Sequence, residues 1–165
     1  MKAFFKHQQK HGKQIYGFIS KKLNKKIEEW TILEIGTGSG GILYHFKNKK
    51  NKVFGIDLNN KYLNYGKMKG LNLINATLDD LGGFNISPDL IILSHVLEHF
   101  QNPKKELSKI KMIMKKNTLL YVEVPGVKNL HRSYQMDFLR YLQFGHLFHF
   151  TRRTLENLFQ DNGFS

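Results

Sequence analysis

Short apolar runs recur along the chain, each closed by a turn signal. Ile32, Leu33 and Ile35 make the first, ending in Gly36, Gly38 and Gly40. Residues 53–56 make a second, ending in Asp57, and residues 71–75 a weaker third. Residues 88–94 hold four apolar residues in a row and are expected to lie centrally, and residues 118–124 are stopped by Pro125 and Gly126. Runs of this length, bounded in this way, read as strands of a parallel sheet. Helical spacing fills the intervals: from Gly41, from Leu58, over 103–116 (Leu107, Ile110, Ile113 and Met114 inward) and over 152–162, capped by Thr151. Ahead of the first strand, residues 4–24 read as a basic amphipathic helix with Ile15, Phe18, Ile19 and Leu23 on one face. Strands alternating with helices, without hairpin signals, predict βαβ units, right-handed crossovers and an α/β fold.

The first strand carries the candidate chemistry. Gly36, Gly38 and Gly40 allow a turn closed to residues with a Cβ, and its backbone N–H groups can approach a ligand. The helix that follows adds unpaired donors and positive dipole character, so strand, turn and helix make a nucleotide-type cofactor site. Gly36, Gly38 and Gly41 also satisfy G-x-G-x-x-G, which keeps a dinucleotide as a rival. Glu34 argues against it: a carboxylate near the strand end repels a pyrophosphate and suits a cationic ligand. Asp57, at the second strand's end, stands where an acid accepts hydrogen bonds from ribose hydroxyls. Its other role would be a helix cap.

Glu34-Ile35-Gly36-Thr37-Gly38-Ser39-Gly40 resembles the E/D-x-G-x-G-x-G motif of the class I S-adenosylmethionine (SAM)-dependent methyltransferases, of the small-molecule and sugar type. Two later segments are similar to the same family: residues 89–103, with Val96-Leu97-Glu98-His99 and Pro103, and residues 146–164, with His146, Phe150, Thr151 and a closing Gly163-Phe164. The resemblance implies a Rossmann-like three-layer αβα sandwich around a mainly parallel sheet, binding SAM through Glu34, Gly36, Thr37, Gly38, Gly40, Asp57, Leu58, Thr77, Leu78 and Ser94. Leu58 would lie against the adenine. Thr77 stands where relatives often carry an Asp for the adenine amino group, so Asp79 or the Leu78 backbone would take that contact. The N-terminal helix would cover the cofactor, and residues 127–145, with Arg132, Tyr134, Arg140 and Tyr141, would form a substrate lid. The usual seven-stranded sheet has two further strands beyond residue 165. Their absence implies a fragment or a five-stranded sheet with an exposed edge.

His95, Glu98 and His99 at a strand's carboxyl end are metal ligands by residue type; the resemblance implies no metal. A hydroxyl acceptor needs a general base, and histidine suits neutral pH. His146 is the first candidate, then His99 and His95.

The chain's 165 residues predict one domain over 1–165: the N-terminal helix at 4–24, a cofactor core at 30–126, and a lid with the last helix at 127–165. Without cysteine there are no disulfides or thiol nucleophiles. The basic N-terminus lacks a sustained apolar stretch, and no run reaches membrane-spanning length, so a cytoplasmic protein without membrane partners is expected. A net charge of +13 would attract nucleic acid, but the lysines are scattered and no aromatic RNA-binding pattern accompanies them. The expected partner is therefore a small-molecule or sugar acceptor with a hydroxyl or amine. An RNA methyltransferase, or a non-catalytic or truncated SAM-binding domain, is the alternative. The oligomeric state is not encoded in any motif.

Overall fold

The computed structural model describes residues 1–127 and 145–164. The expected lid residues Arg132, Tyr134, Arg140 and Tyr141 lie outside them. Helix α1 (Lys2–Leu23) precedes β1 (Thr31–Ile35), α2 (Gly41–Lys47), β2 (Lys52–Asp57), α3 (Asn60–Lys67) and β3 (Asn72–Asn75). β4 (Leu90–Ser94), α4 (Pro103–Met112), β5 (Leu119–Glu123) and α5 (Arg152–Asp161) follow. The strands form one sheet in the order β3-β2-β1-β4-β5, flanked by helices. β1, β2 and β3 pair in parallel, with Glu34 beside Gly55 and Asp57 beside Asn75. Asp89 N–H donates to Thr31 O at 2.8 Å, and Leu119 N–H to Asp89 O at 2.9 Å, so the starts of β1, β4 and β5 are aligned too. The strand order reverses between β1 and β4, and open α/β sheets bind ligands at carboxyl ends beside such a reversal.

The chain divides into two compact units, Met1–Ile92 with Ile113–Tyr121, and Leu93–Met112 with Val122–Ser165. In the first, the apolar runs of β1 and β4 are buried from end to end, and Leu43, Phe46, Ile15, Ile27 and Leu63 close over them. α1 buries Phe5, Gly12, Ile15 and Ile19. Phe18, expected on that inner face, is 55% exposed: it lies one residue off the buried stripe, with its ring against Tyr121 and the Lys22 ammonium. In the second unit Leu97, Leu107 and Ile110 are fully buried. α4 stops at Met112 rather than at 116, with Met112 79% exposed. Lys111 Nζ donates to the carbonyls of Asn162 and Gly163, neutralising the carboxyl end of α5. Thr151 accepts the N–H of Thr154 and caps that helix as its sequence predicts. No helix among the described residues is long and apolar enough to cross a membrane.

Two glycines of α1 have opposite requirements. A Cβ on Gly12 would stand 2.8 Å from Ile42 O and 2.9 Å from Ile42 Cα, so α1 and α2 cross backbone to backbone there. A Cβ on Gly17 meets nothing within 4 Å. Alanine gains about 1 kcal/mol over glycine in a helix interior. Gly17→Ala is therefore expected to raise stability by about 0.5–1 kcal/mol, and Gly12→Ala to lower it by about 1–3 kcal/mol through overpacking. Urea unfolding of the two variants reads both signs.

Candidate functional site

The carboxyl end of β1 turns sharply because Gly36, Gly38 and Gly40 adopt φ of 71°, 55° and 76°. The turn is held from below by Thr37, whose hydroxyl donates to Glu34 Oε2 at 2.6 Å, both side chains fully buried. Gly55, beside Glu34 in the sheet, leaves room for this pair: a Cβ there would stand 2.8 Å from the Thr37 methyl. The turn is held from above by Gln8 of α1. Its Nε2 donates to Thr37 O at 3.1 Å, while its Oε1 accepts from Ser39 Oγ at 2.6 Å and Gly41 N–H at 3.2 Å. Gln8 thus takes a donor at the start of α2 that the sequence left for a ligand. Nothing in the sequence singled it out, because it stands some thirty residues from its partners, in a helix read only by its apolar face.

Glu34 differs from expectation. It is 1% exposed and turned into the core, so it does not present an open carboxylate to a cation or a pyrophosphate. Burial, reinforced by the charge of Asp57 and opposed by the Thr37 hydroxyl, pushes its pKa up to about 8. Its physical role is to brace the turn.

Asp57 ends β2 and is half-buried. Oδ2 accepts Gly38 N–H at 2.8 Å and Oδ1 accepts Asn59 N–H at 2.8 Å. It is not the helix cap: Asn59 caps α3, accepting from Lys61 and Tyr62 N–H. A carboxylate oxygen has two acceptor sites, so each oxygen of Asp57 keeps one for a ribose hydroxyl. The next residue, Leu58, is 68% exposed, an apolar side chain available to a base. These features fit a nucleoside cofactor. The adenine side fits through the backbone only. The Leu78 side chain is buried, and the Thr77 hydroxyl and N–H both donate to Asp80, capping a 3-10 turn at Leu78–Gly83.

The second unit holds the candidate bases His95, His99 and His146. Ser94 ends β4, half-buried, and His95 follows at φ 56°, a left-handed conformation uncommon outside glycine. A 3-10 turn at Leu97–His99 then buries Glu98 and leaves His99 exposed. The His146 ring lies 4.9 Å from that of His99 and 6.2 Å from that of His149. Glu98 at 3.6 Å and Glu123 at 3.8 Å hold the His95 imidazole above its usual pKa, against the burial that lowers it.

The Glu34 shift sets a pH dependence. Between the ordinary carboxyl value of 4.5 and about 8, the folded chain keeps a proton that the unfolded chain has lost. Stability from this group therefore falls as pH rises through that window, by an amount on the order of a few kcal/mol. Urea unfolding between pH 5 and 9 is expected to show this decline, and Glu34→Gln to flatten it.

Residues 4–165 match the family described as a methyltransferase domain. A SAM-dependent methyltransferase from Archaeoglobus fulgidus superposes on 93% of this chain and 69% of its own, with a TM-score of 0.74 at 20% identity. The plantazolicin methyltransferase BamL, solved with a triazolic desmethylPZN analog and SAH, matches 96% of this chain and 60% of its own, also at 0.74, with 16% identity. An uncharacterized protein of Methanocaldococcus jannaschii is 26% identical over 102 residues, 62% of this chain. The chain spans about half, 48%, of that relative's length. The glycine turn with its acid at the end of β2, the five-stranded parallel sheet and the match over nearly the whole length agree: this chain belongs to the methyltransferase domain family.

Proposed function

We propose that the protein transfers a methyl group from SAM to a hydroxyl or amine of a small molecule or sugar. The observation that carries this reading is Asp57 beside Gly38, a half-buried carboxylate whose oxygens each accept one backbone N–H at a turn of left-handed glycines. Asp57 binds the ribose hydroxyls, Leu58 lies against the adenine, and the backbone at Thr37, Gly38, Thr77 and Leu78 adds cofactor contacts. Glu34 and Gln8 act indirectly by fixing the turn. SAM supplies an electrophilic methyl on a sulfonium whose departure needs no proton, so the protein's work is to hold the reactants in line and to take the acceptor's proton. His146 is the first candidate for that proton, with His99 next and His95 last.

The small-molecule acceptor draws support from the motif resemblance and from the triazolic desmethylPZN analog bound in the BamL structure. An RNA acceptor is favoured by one feature: Lys2, Lys6 and Lys69 rim a cavity of about 210 Å³ with Tyr44 and Tyr65 in its wall. Steep salt dependence of RNA binding would support that reading.

Methyl transfer to a panel of hydroxyl and amine acceptors, followed by mass spectrometry with SAM, tests the proposal. His146→Ala is expected to lower turnover by about 10²–10⁴ with SAM affinity unchanged. Wild-type turnover in that variant removes His146 from the reaction, and transfer to RNA alone replaces the small-molecule reading.

A further inference from the structure

The Glu98 side chain is 1% exposed, and neither carboxylate oxygen has a hydrogen-bond partner among the described residues. It forms an ion pair with His95 Nδ1 at 3.6 Å, a separation too long for a good hydrogen bond. A buried carboxylate without hydrogen bonds is a heavy burden on a fold unless something binds there.

What surrounds it points to a cation. Glu98, His99 and His146 each place one ligand atom so that all three lie within 4.8 Å of one another. His99 Nδ1 bonds the carbonyl oxygen of Gly145, and since a carbonyl only accepts, Nδ1 carries the proton. That tautomer leaves the Nε2 lone pair for a metal, and a backbone carbonyl is a usual outer partner of a metal-bound histidine. The geometry is built in. Leu147 and Phe148 N–H groups both donate to the backbone oxygen of Glu98, at 2.8 and 3.2 Å, tying the segment that carries His146 to the turn that carries Glu98 and His99.

We propose that Glu98, His99 and His146 bind a divalent transition-type cation such as Zn²⁺, Mn²⁺ or Fe²⁺. Two imidazoles and one carboxylate, in a chain without cysteine, suit these ions; Mg²⁺ and Ca²⁺ prefer all-oxygen sites. Three protein ligands leave positions open for water or a substrate oxygen. Resting on the methyltransferase reading, this narrows the acceptor to a hydroxyl. Its oxygen binds the ion, its proton passes to water, and the electron pair stays on oxygen as the nucleophile. His99 and His146 are then ligands, and the ion replaces them in activating the acceptor. The sequence expectation of no metal came from the family resemblance alone, which carries no information about how deeply Glu98 is buried.

The test uses the full chain, stripped of metal by a chelator and titrated calorimetrically with Zn²⁺, with Co²⁺ absorption in parallel. One equivalent is expected to bind. Glu98→Gln, which keeps the side-chain shape, and His146→Ala are each expected to weaken binding on the order of tenfold to a hundredfold. His7→Ala, on the exposed face of α1, is expected to leave binding unchanged. No saturable binding, wild-type affinity in both site variants, or an equal loss in His7→Ala overturns the proposal. SAM titration of the same samples reads the cofactor separately: ion binding without SAM binding sustains the ion site and removes the methyltransferase reading.

Discussion

The hydrogen bond from Thr37 to Glu34 fixes the carboxyl end of β1, and the cofactor side of the molecule depends on it. A carboxyl group buried in the sheet is tolerated because it holds a proton near neutral pH and because Thr37 satisfies it. The same bond sets Thr37, and so sets the left-handed glycines on either side. Gly55 and Gly40 are glycines for packing: a Cβ on either would strike side chains of the layer beneath, at 2.7 Å from Leu73 and 2.6 Å from Leu71. Gln8 closes the turn from the other side, so one loop is positioned by two elements that meet only in the folded chain.

The second unit repeats this logic with the opposite outcome. Glu98 is as deeply buried as Glu34, yet among the described residues no hydroxyl satisfies it, and imidazoles stand near by. Two buried carboxyls, one hydrogen-bonded and one not, divide between a structural brace and a ligand.

Much of this was legible beforehand. The strands were, because buried parallel strands are near-continuous apolar runs, and β1 and β4 are the clearest of these. The glycine turn was legible because positive φ leaves its mark in composition. Asp57 was placed by its distance from that turn. Gln8 was not legible, since contact across some thirty residues follows from the α1–α2 crossing at Gly12, which periodicity does not encode. The orientation of Glu34 was misjudged because sequence gives a carboxylate's position along a strand but not whether the layer above it is closed. Phe18 was misplaced by one residue of the stripe and the end of α4 by about one turn.

The central claim is that this loop and Asp57 form a SAM site. Calorimetric titration of the purified chain with SAM, with NAD as the control, tests it most directly. The account predicts saturable binding of SAM, none of NAD, and a loss of SAM affinity of about tenfold or more in Asp57→Ala, since that variant removes a charged acceptor from the ribose hydroxyls. Tight NAD binding, or SAM binding undiminished in Asp57→Ala, would contradict it.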